Sequence, residues 1–257
     1  MSALRVNGLS FAYGSHSVLQ KVDFGPLEPG QLTVLIGPNA AGKSTLFRLI
    51  AGLVKLSKGK VYLGDLDLDT LNSQARLKRI CFMPQFFAAN AALTVFDVVM
   101  MAHKQLRGWR VSDADMHTVG EALEAAGIGH LSEAYVSELS GGQSQMVSVA
   151  QALIRKSDVY LFDEPTSALD LFHQLDVMRQ IKSAIAVRGA IGIVALHDLN
   201  LAAGFADHLI LLGHGTVLNE GNPEKVLRSP AISETYGVDI EIGFGPRKDL
   251  TVHAYTS

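Results

Sequence analysis

Residues 37–45 read GPNAAGKST, a stretch that fits the phosphate-binding pattern G-x-x-x-x-G-K-[ST]. In such a loop the glycines let successive backbone N–H groups point at phosphate oxygens, and the helix that follows adds the positive end of its dipole. Lys43 is expected to reach the β- and γ-phosphates, and Ser44 to coordinate Mg²⁺. The sequence therefore predicts a nucleoside triphosphate site, formed by Gly37, Pro38, Asn39, Ala40, Ala41, Gly42, Lys43, Ser44 and Thr45.

Two acidic residues end an apolar stretch at 158–165, which reads DVYLFDEP. A buried strand of this kind delivers its carboxylates to the carboxyl edge of a sheet, where nucleotides bind. Asp163 would hold Mg²⁺ through a water molecule, and Glu164 would orient or deprotonate an attacking water. The plainer alternative is a strand that ends in solvated acids, and the phosphate loop earlier in the chain favours the catalytic interpretation.

The stretch LSGGQ at 139–143 opens a helical pattern. Ser140 and Gln143 have the spacing of a capping box, which predicts a well-capped helix start. The same stretch has exposed amides, two glycines that permit close approach, and a helix dipole, so it is also suited to bind a second anion. Both interpretations remain open on these residues alone. The predicted apolar face of the helix consists of Met146, Val149, Ala150 and Leu153.

The phosphate loop needs a strand before it and a helix after it, and the sequence predicts both. Residues 1–35 read as short alternating strands, the last of which, GQLTVLIG, runs into the loop. From residue 158 onward apolar strands alternate with helices, and 208–221 reads as a hairpin. We therefore predict an α/β fold. The helix predicted at 43–54 has apolar residues at helical spacing, namely Leu46, Leu49, Ile50 and Leu53.

The middle of the chain, residues 87–135, has a different character. LTVFDVVMMAHKQLRG and SDADMHTVGEALEAAGI are helical patterns, and each opens with a capping-box pair, Thr94–Asp97 and Ser112–Asp115. We predict an inserted helical lobe here. No element is predicted for the tail after Pro230.

Composition excludes several classes of protein. The net charge of −3, without runs of Lys or Arg, argues against a nucleic-acid partner. The single cysteine, Cys81, excludes an internal disulfide and fits a reducing compartment. The most apolar stretches, such as 190–196, fall short of the roughly 20 residues that span a membrane, and the N-terminus lacks a signal-peptide layout. We expect a cytoplasmic chain that reaches a membrane only through a partner.

The histidines other than His197 form no metal-ligand spacing with Cys81 or with one another. His208 and His214 lie in the predicted hairpin and are expected at the surface. No G-x-S-x-G elbow indicates a serine hydrolase.

Taken in order, the motifs resemble those of the ATP-binding-cassette (ABC) ATPases, over roughly residues 3–230. The resemblance implies a P-loop NTPase core with an N-terminal antiparallel β region and an inserted α-helical lobe. It also implies ATP and Mg²⁺ as cofactors. Within a single domain, 1–257, the expected parts are the nucleotide-binding core at 1–86 and 156–229, the helical lobe with the signature motif at 87–155, and a C-terminal extension at 230–257.

In that family two cassettes pack head to tail, and the signature of one completes the ATP site of the other. The resemblance implies that Ser140, Gly141 and Gly142 contact the γ-phosphate held by the partner's Lys43, and that Gln143 of the same signature also belongs to the nucleotide-binding residues. It further implies that Tyr13 stacks on adenine, that Gln85 touches Mg²⁺ and the attacking water, that Asp170 lies in a loop crossing the dimer seam, and that His197 contacts the γ-phosphate. The plain alternatives are a core or edge-strand tyrosine for Tyr13, an exposed loop glutamine for Gln85, and a structural or solvated histidine for His197.

The chain departs from the family pattern just after the signature, where Ser144 and Met146 stand at positions often occupied by arginine. The assigned ATP contacts do not depend on these two residues. The chain therefore lacks, at these two positions, the arginines that support a polar network beside the signature helix.

The length of the chain indicates which kind of cassette it is. Relatives in chromosome maintenance place a long coiled coil between the phosphate loop and the signature, and residues 46–138 here contain none. Translation-associated relatives carry two cassettes, and exporters usually fuse the cassette to membrane helices. A separate ATPase subunit of an importer fits best. Its expected partners are a second copy of itself, integral membrane permease subunits and, indirectly, a substrate-binding protein, at the inner face of the membrane.

Residues 197–227 and 93–102 resemble the importer branch that handles iron–siderophore complexes, haem and vitamin B12. Zinc or manganese import is the main alternative. A soluble P-loop kinase and an ATP-dependent scaffold without a transport role are the competing classes, and a kinase would have no use for a second anion site.

Overall fold

The computed structural model describes residues 2–85, 92–105, 108, 110–246 and 249–256. Strands and helices are numbered separately along the chain. The N-terminal part forms a four-stranded antiparallel sheet in the order β2-β1-β4-β5. Its strands are β1 (Leu4–Tyr13), β2 (His16–Leu27), β4 (Lys58–Leu63) and β5 (Leu66–Asp67). The predicted antiparallel β region is therefore confirmed.

A second sheet lies in the predicted nucleotide-binding core and consists of six strands: β3 (Leu32–Ile36), β6 (Ile80–Met83), β7 (Val159–Asp163), β8 (Ile191–Ala195), β9 (His208–Gly213) and β10 (Thr216–Gly221). Their order is β10-β9-β3-β8-β7-β6. All neighbours pair in parallel except β10, which is antiparallel to β9 in the predicted hairpin. Since parallel strands end at the same edge, the loops that follow β3, β7 and β8 lie together.

The six-stranded sheet is covered on both faces, so its central strands are buried along their whole length. Side chains alternate between two cores. Leu35, Leu161 and Ile193 pack with the N-terminal sheet and the helix after the phosphate loop. Tyr160 and Phe162 pack into the other core with the helical lobe and the later helices. The packed sheet thereby holds in place the loops that follow its strands.

Helices α1 (Lys43–Ile50) and α2 (Ser73–Arg79) belong to the core, as do α6 (Leu171–Arg188), α7 (Leu199–Phe205) and α8 (Pro223–Leu227). The lobe contributes α3 (Val95–Lys104), α4 (Asp113–Ala125) and α5 (Gly141–Ile154). All three lobe helices begin with the predicted capping boxes, with both reciprocal hydrogen bonds formed. Part of the predicted lobe, at 87–91, 106, 107 and 109, lies outside the described residues. No helix in the described ranges is long and apolar enough to cross a membrane.

Helix α1 ends at Ile50, so the predicted helix extending to residue 54 was too long. The buried guanidinium of Arg76 donates to the last carbonyls of the helix and pairs with Asp69 at 2.7 Å. Gly52, at φ = 74°, turns the chain away, and a Cβ there would lie 2.5 Å from the Arg76 side chain. Leu53, predicted on the apolar face, lies beyond the helix and is 57% exposed.

The tail is ordered, although the sequence predicted no element in it. Helix α9 (Pro230–Tyr236) leads into a hairpin of β11 (Asp239–Phe244) and β12 (Leu250–Tyr255). The hairpin packs on α7, where the Asn200 carboxamide accepts from the backbone N–H of Val252 at 2.8 Å and donates to its carbonyl at 3.2 Å. The tail is thus attached to the helix that follows His197.

Candidate active site

The phosphate loop connects β3 to α1 and contains backbone that glycine alone accommodates. Gly37 has φ = 155°, and a Cβ at this position would lie 2.2 Å from the carbonyl oxygen of Leu212. Gly42, the residue before α1, has φ = 102°. The N-terminus of α1 therefore opens directly onto the loop, as the sequence predicted.

Lys43 lies at the centre of this loop. Its ammonium donates to the carbonyl oxygens of Gly37 at 2.6 Å and Pro38 at 3.1 Å. Burial lowers the pKa of Lys43, and the negative charges of Glu164 and Asp163 oppose that shift. A buried ammonium beside helix amides is suited to bind phosphate oxygens.

The loop forms one wall of a cavity of about 1150 Å³. The same cavity receives side chains from the ends of three parallel strands, as the topology requires. Glu164 follows β7, His197 follows β8, and Gln85 follows β6. The lining comprises His16, Ser17, Val18, residues 38–45, Gln85, Glu164, His197, His214 and Gly215.

Glu164 is the centre of a three-residue cluster. The Gln85 carboxamide donates from Nε2 to Glu164 Oε2 at 2.6 Å. The imidazole Nε2 of His197 contacts the other carboxylate oxygen, Oε1. The three residues predicted to act on the γ-phosphate and its attacking water therefore contact one another, although Gln85 and His197 are 79 and 33 residues from Glu164 in the chain.

Asp163 is 2% exposed and lies next to Glu164 at the end of β7. Burial raises the pKa of Asp163, whereas a hydrogen bond from Ser44 lowers it. Its Oδ1 atom has no hydrogen-bond partner among the described residues. A buried carboxylate oxygen without a partner is costly unless a cation binds it. Asp163 and Ser44 are therefore a fitting pair of oxygen ligands for Mg²⁺.

The signature residues do not join this cavity within one chain. Of the described residues that line it, none comes from 139–143. Ser140, Gly142 and Gln143 instead border a separate cleft of about 730 Å³, together with Asp170. Gly141 lies between Ser140 and Gly142 at the start of α5. The structure therefore places the predicted phosphate contacts in two groups.

Tyr13, the predicted adenine contact, ends β1 and is 47% exposed. It packs edge-to-face on Phe11, with ring centroids 4.8 Å apart. Its cross-strand neighbour is His16, which lines the cavity. Tyr13 is therefore partly exposed and adjoins, through His16, the lining of the cavity.

Two residues near the site, Gln145 and Tyr236, were not recognised from the sequence, and His208, at the opposite edge of the sheet, was misjudged. Gln145 on α5 donates to the backbone carbonyl of Glu164, and no pattern in the sequence marked this contact. Tyr236 in α9 turns its buried hydroxyl toward the N–H of Gly37 without reaching hydrogen-bond geometry, and burial raises the pKa of Tyr236 to about 12. His208, expected at the surface, is mostly buried with Nε2 3.6 Å from Glu220. His214 is exposed, as expected.

Comparison with known proteins adds independent information. A family model described as ABC transporter matches residues 19–167. A hemin import ATP-binding protein of Pseudomonas entomophila is 37% identical over 250 residues, covering 95% of this chain and 96% of that protein. An iron(3+)-hydroxamate import ATP-binding protein of Bacillus subtilis is 32% identical over 255 residues, covering 98% and 94%. A solved dimeric ATP-binding cassette, in a post-hydrolysis state bound to ADP and Pi, superimposes with a TM-score of 0.77 at 26% identity, covering 86% and 98%.

Proposed function

The chain belongs to the family of ABC transporter ATP-binding proteins, and from that premise we propose that it is the ATP-hydrolysing subunit of a membrane importer for an iron complex. Two copies would close on two molecules of Mg·ATP and drive uptake through a permease. The observation that carries the proposal is the cluster of Gln85, Glu164 and His197 beside the phosphate loop.

ATP binding would exchange contacts that Lys43 makes within its own loop. Its ammonium, now held by the Gly37 and Pro38 carbonyls, would turn to the β- and γ-phosphates, while the loop amides donate to the same oxygens. Tyr13 would stack on the adenine from the rim. The Ser44 hydroxyl and the Asp163 carboxylate would hold Mg²⁺, with Gln85 beside them.

Mg²⁺ bound there would neutralise charge on the phosphate oxygens. In the described ranges, no three His, Cys, Asp or Glu side chains converge as a metal cluster. The phosphates themselves would therefore complete the coordination, which is usual for Mg²⁺ in nucleotide sites.

For hydrolysis, one oxygen of Glu164 must exchange its present contact with Gln85 or His197 for a water molecule. Glu164 would take a proton from that water as the water oxygen bonds to the γ-phosphorus. The bond from phosphorus to the β–γ bridging oxygen breaks, and ADP and phosphate leave. His197, freed from Glu164, would donate to a γ-phosphate oxygen.

The separation of the signature from the cavity supports a two-copy arrangement. Ser140, Gly141, Gly142 and Gln143 would complete the partner's site, and the partner's signature would complete this one. Asp170, which borders the same cleft as the signature, would lie at the seam. ATP would bind the closed dimer more tightly than the open one. ATP binding would therefore shift the population toward the closed dimer, and hydrolysis would let the dimer reopen.

A groove of about 460 Å³ between the core and the lobe is the proposed contact with the permease. Leu77 and Met101 are its exposed apolar sides, and Met83 lies at its base, two residues before Gln85. A permease helix bound in this groove would therefore be displaced when Gln85 moves. This arrangement would place the chain peripherally at the inner face of the membrane, with a substrate-binding protein acting on the permease from the opposite side.

The proposed cargo rests on relatives and not on a contact with the cargo. Similar proteins are named for import of hemin, iron(3+)-hydroxamate and petrobactin. We therefore propose an iron complex, either haem or an iron–siderophore, as the class of compound. The cargo would pass through the permease and would not touch this chain.

Co-purification tests the proposal. The tagged chain, extracted from its native membranes in mild detergent, should bring down a polytopic membrane protein in stoichiometric amount, and iron chelates can then be screened for binding to the complex. Recovery of the chain without a membrane partner would refute the transport role while leaving the ATPase intact.

A further inference from the structure

A buried glutamine joins the signature helix to the backbone of Glu164 within one chain. Gln145, two residues after Gln143, is 5% exposed. Its Nε2 atom donates to the carbonyl oxygen of Glu164 at 3.0 Å. The lobe therefore has a direct contact with the residue proposed to activate water.

The backbone of Glu164 is in a conformation that needs such support. Its φ is 54°, in the left-handed region that a residue with a Cβ adopts only when its surroundings hold it there. Its N–H donates to the Ala195 carbonyl at 3.2 Å, and its carbonyl also accepts from the Ser167 hydroxyl at 3.2 Å. The first contact comes from β8 and the second from the local turn. Gln145 adds the contact from the lobe.

Helix α5 is firmly packed, so its two ends move together as one rigid unit. Val147 and Val149 are fully buried in the core shared with the lobe, and the Gln151 carboxamide donates to the Val98 carbonyl of α3 at 3.1 Å. Any movement of Ser140 and Gln143 therefore also moves Gln145.

We propose that Gln145 is a positioning residue that sets the Glu164 carboxylate according to the position of the signature helix. The inference rests on the proposed function, in which the signature docks on the partner's ATP. Docking of α5 on that nucleotide would fix Gln145 and, through the Glu164 carbonyl, aim the carboxylate at the water in this chain's own site. Each site would thus prepare the other for hydrolysis.

The substitution Gln145→Met keeps the side-chain length and removes the donor. We expect kcat for ATP to fall about tenfold, since small misplacements of a catalytic group are costly, while KM and nucleotide binding stay within about twofold. Gln180→Met is the matched control: Gln180 is a half-buried glutamine on α6, and its amide donates to Asp176 at 2.7 Å. Its kcat should match that of the wild type.

A double-mutant cycle with Glu164→Gln separates positioning from a general structural role. If Gln145 acts through the Glu164 carboxylate, Gln145→Met should lower single-turnover hydrolysis by less than about twofold in the Glu164→Gln background, because effects at one network do not add. Equal losses in both backgrounds, or a Gln145→Met enzyme with wild-type kcat, would overturn the inference. Absence of ATPase activity in the wild type would instead refute the proposed function.

Discussion

Replacing Glu164 by glutamine should separate ATP binding from ATP hydrolysis. Glutamine has the same shape as glutamate, and one of its amide atoms can still bond to His197 or Gln85. The hydrogen bonds of the phosphate loop are untouched, because Lys43 donates to the Gly37 and Pro38 carbonyls and not to Glu164. The lost property is the ability to accept a proton from water.

The size of the effect follows from that loss. A positioned base contributes about 10²- to 10⁴-fold, which corresponds to about 2.7–5.4 kcal/mol in activation free energy. The amide also turns an NH₂ group toward one of its present donors, so the free energy of unfolding should change by about 1 kcal/mol at most. We therefore expect kcat to fall at least about 10²-fold, with ATP affinity within about threefold of the wild type.

The assay is phosphate release at saturating Mg·ATP, alongside equilibrium binding of a fluorescent ATP analogue. Glu220→Gln is the matched control, because Glu220 is also half-buried, but it accepts from Gly25 at 3.2 Å, away from the cavity. Its kcat should equal that of the wild type. A Glu164→Gln enzyme with near-normal turnover would remove Glu164 from its proposed role as base.

Three further substitutions and one labelling experiment test other contacts. Asp163→Asn should raise the half-saturating Mg²⁺ concentration for ATPase activity about 10- to 100-fold; an unchanged Mg²⁺ titration would exclude Asp163 as a ligand. Arg76→Met strips several carbonyls of their donor, so urea unfolding should show a loss of about 3 kcal/mol, and an unchanged midpoint would contradict the capping role. Asn200→Ala should speed hydrogen exchange at β12 about 5- to 30-fold, since it removes two hydrogen bonds to Val252 that together contribute about 1–2 kcal/mol, while the α1 amides stay protected. Cys81 is buried, and burial raises its pKa to about 11. At pH 8, iodoacetamide should therefore label it at least about 10²-fold more slowly than a free thiol, and rapid labelling of the folded protein would be inconsistent with that burial.

Features that depend on neighbouring residues were predictable from the sequence, and features that depend on distant contacts were not. The capping boxes of α3, α4 and α5 involve residues three positions apart, so the pattern itself specifies the bonds. The early end of α1 depends on Arg76, 26 residues beyond Ile50. The spacing of apolar residues contains no information about such a distant partner. The helix predicted from that spacing therefore continued past Ile50 and included Leu53.

The residues of the candidate site follow the same distinction between predictable and unpredictable contacts. Parallel-strand topology predicts that the residues after β7 and β8 approach one another, and the family resemblance supplied the roles of Glu164 and His197. Gln145 escaped recognition because its partner is a backbone carbonyl 19 residues away, and no side-chain pattern marks a carbonyl. The tail was missed for a related reason, since its contact with Asn200 also uses the backbone of Val252.

The charges in the cavity indicate that nucleotide and metal should bind together. Lys43 and Asp163 are both buried. Burial lowers the pKa of Lys43 and raises the pKa of Asp163, and so disfavours the charged form of each side chain. A nucleotide without Mg²⁺ would satisfy Lys43 but bring further negative charge close to Asp163 and Glu164. Mg²⁺ without a nucleotide would satisfy Asp163 but lack the phosphate oxygens that complete its coordination. Mg·ATP compensates both charges at once, so the affinity of each component should increase when the other is present.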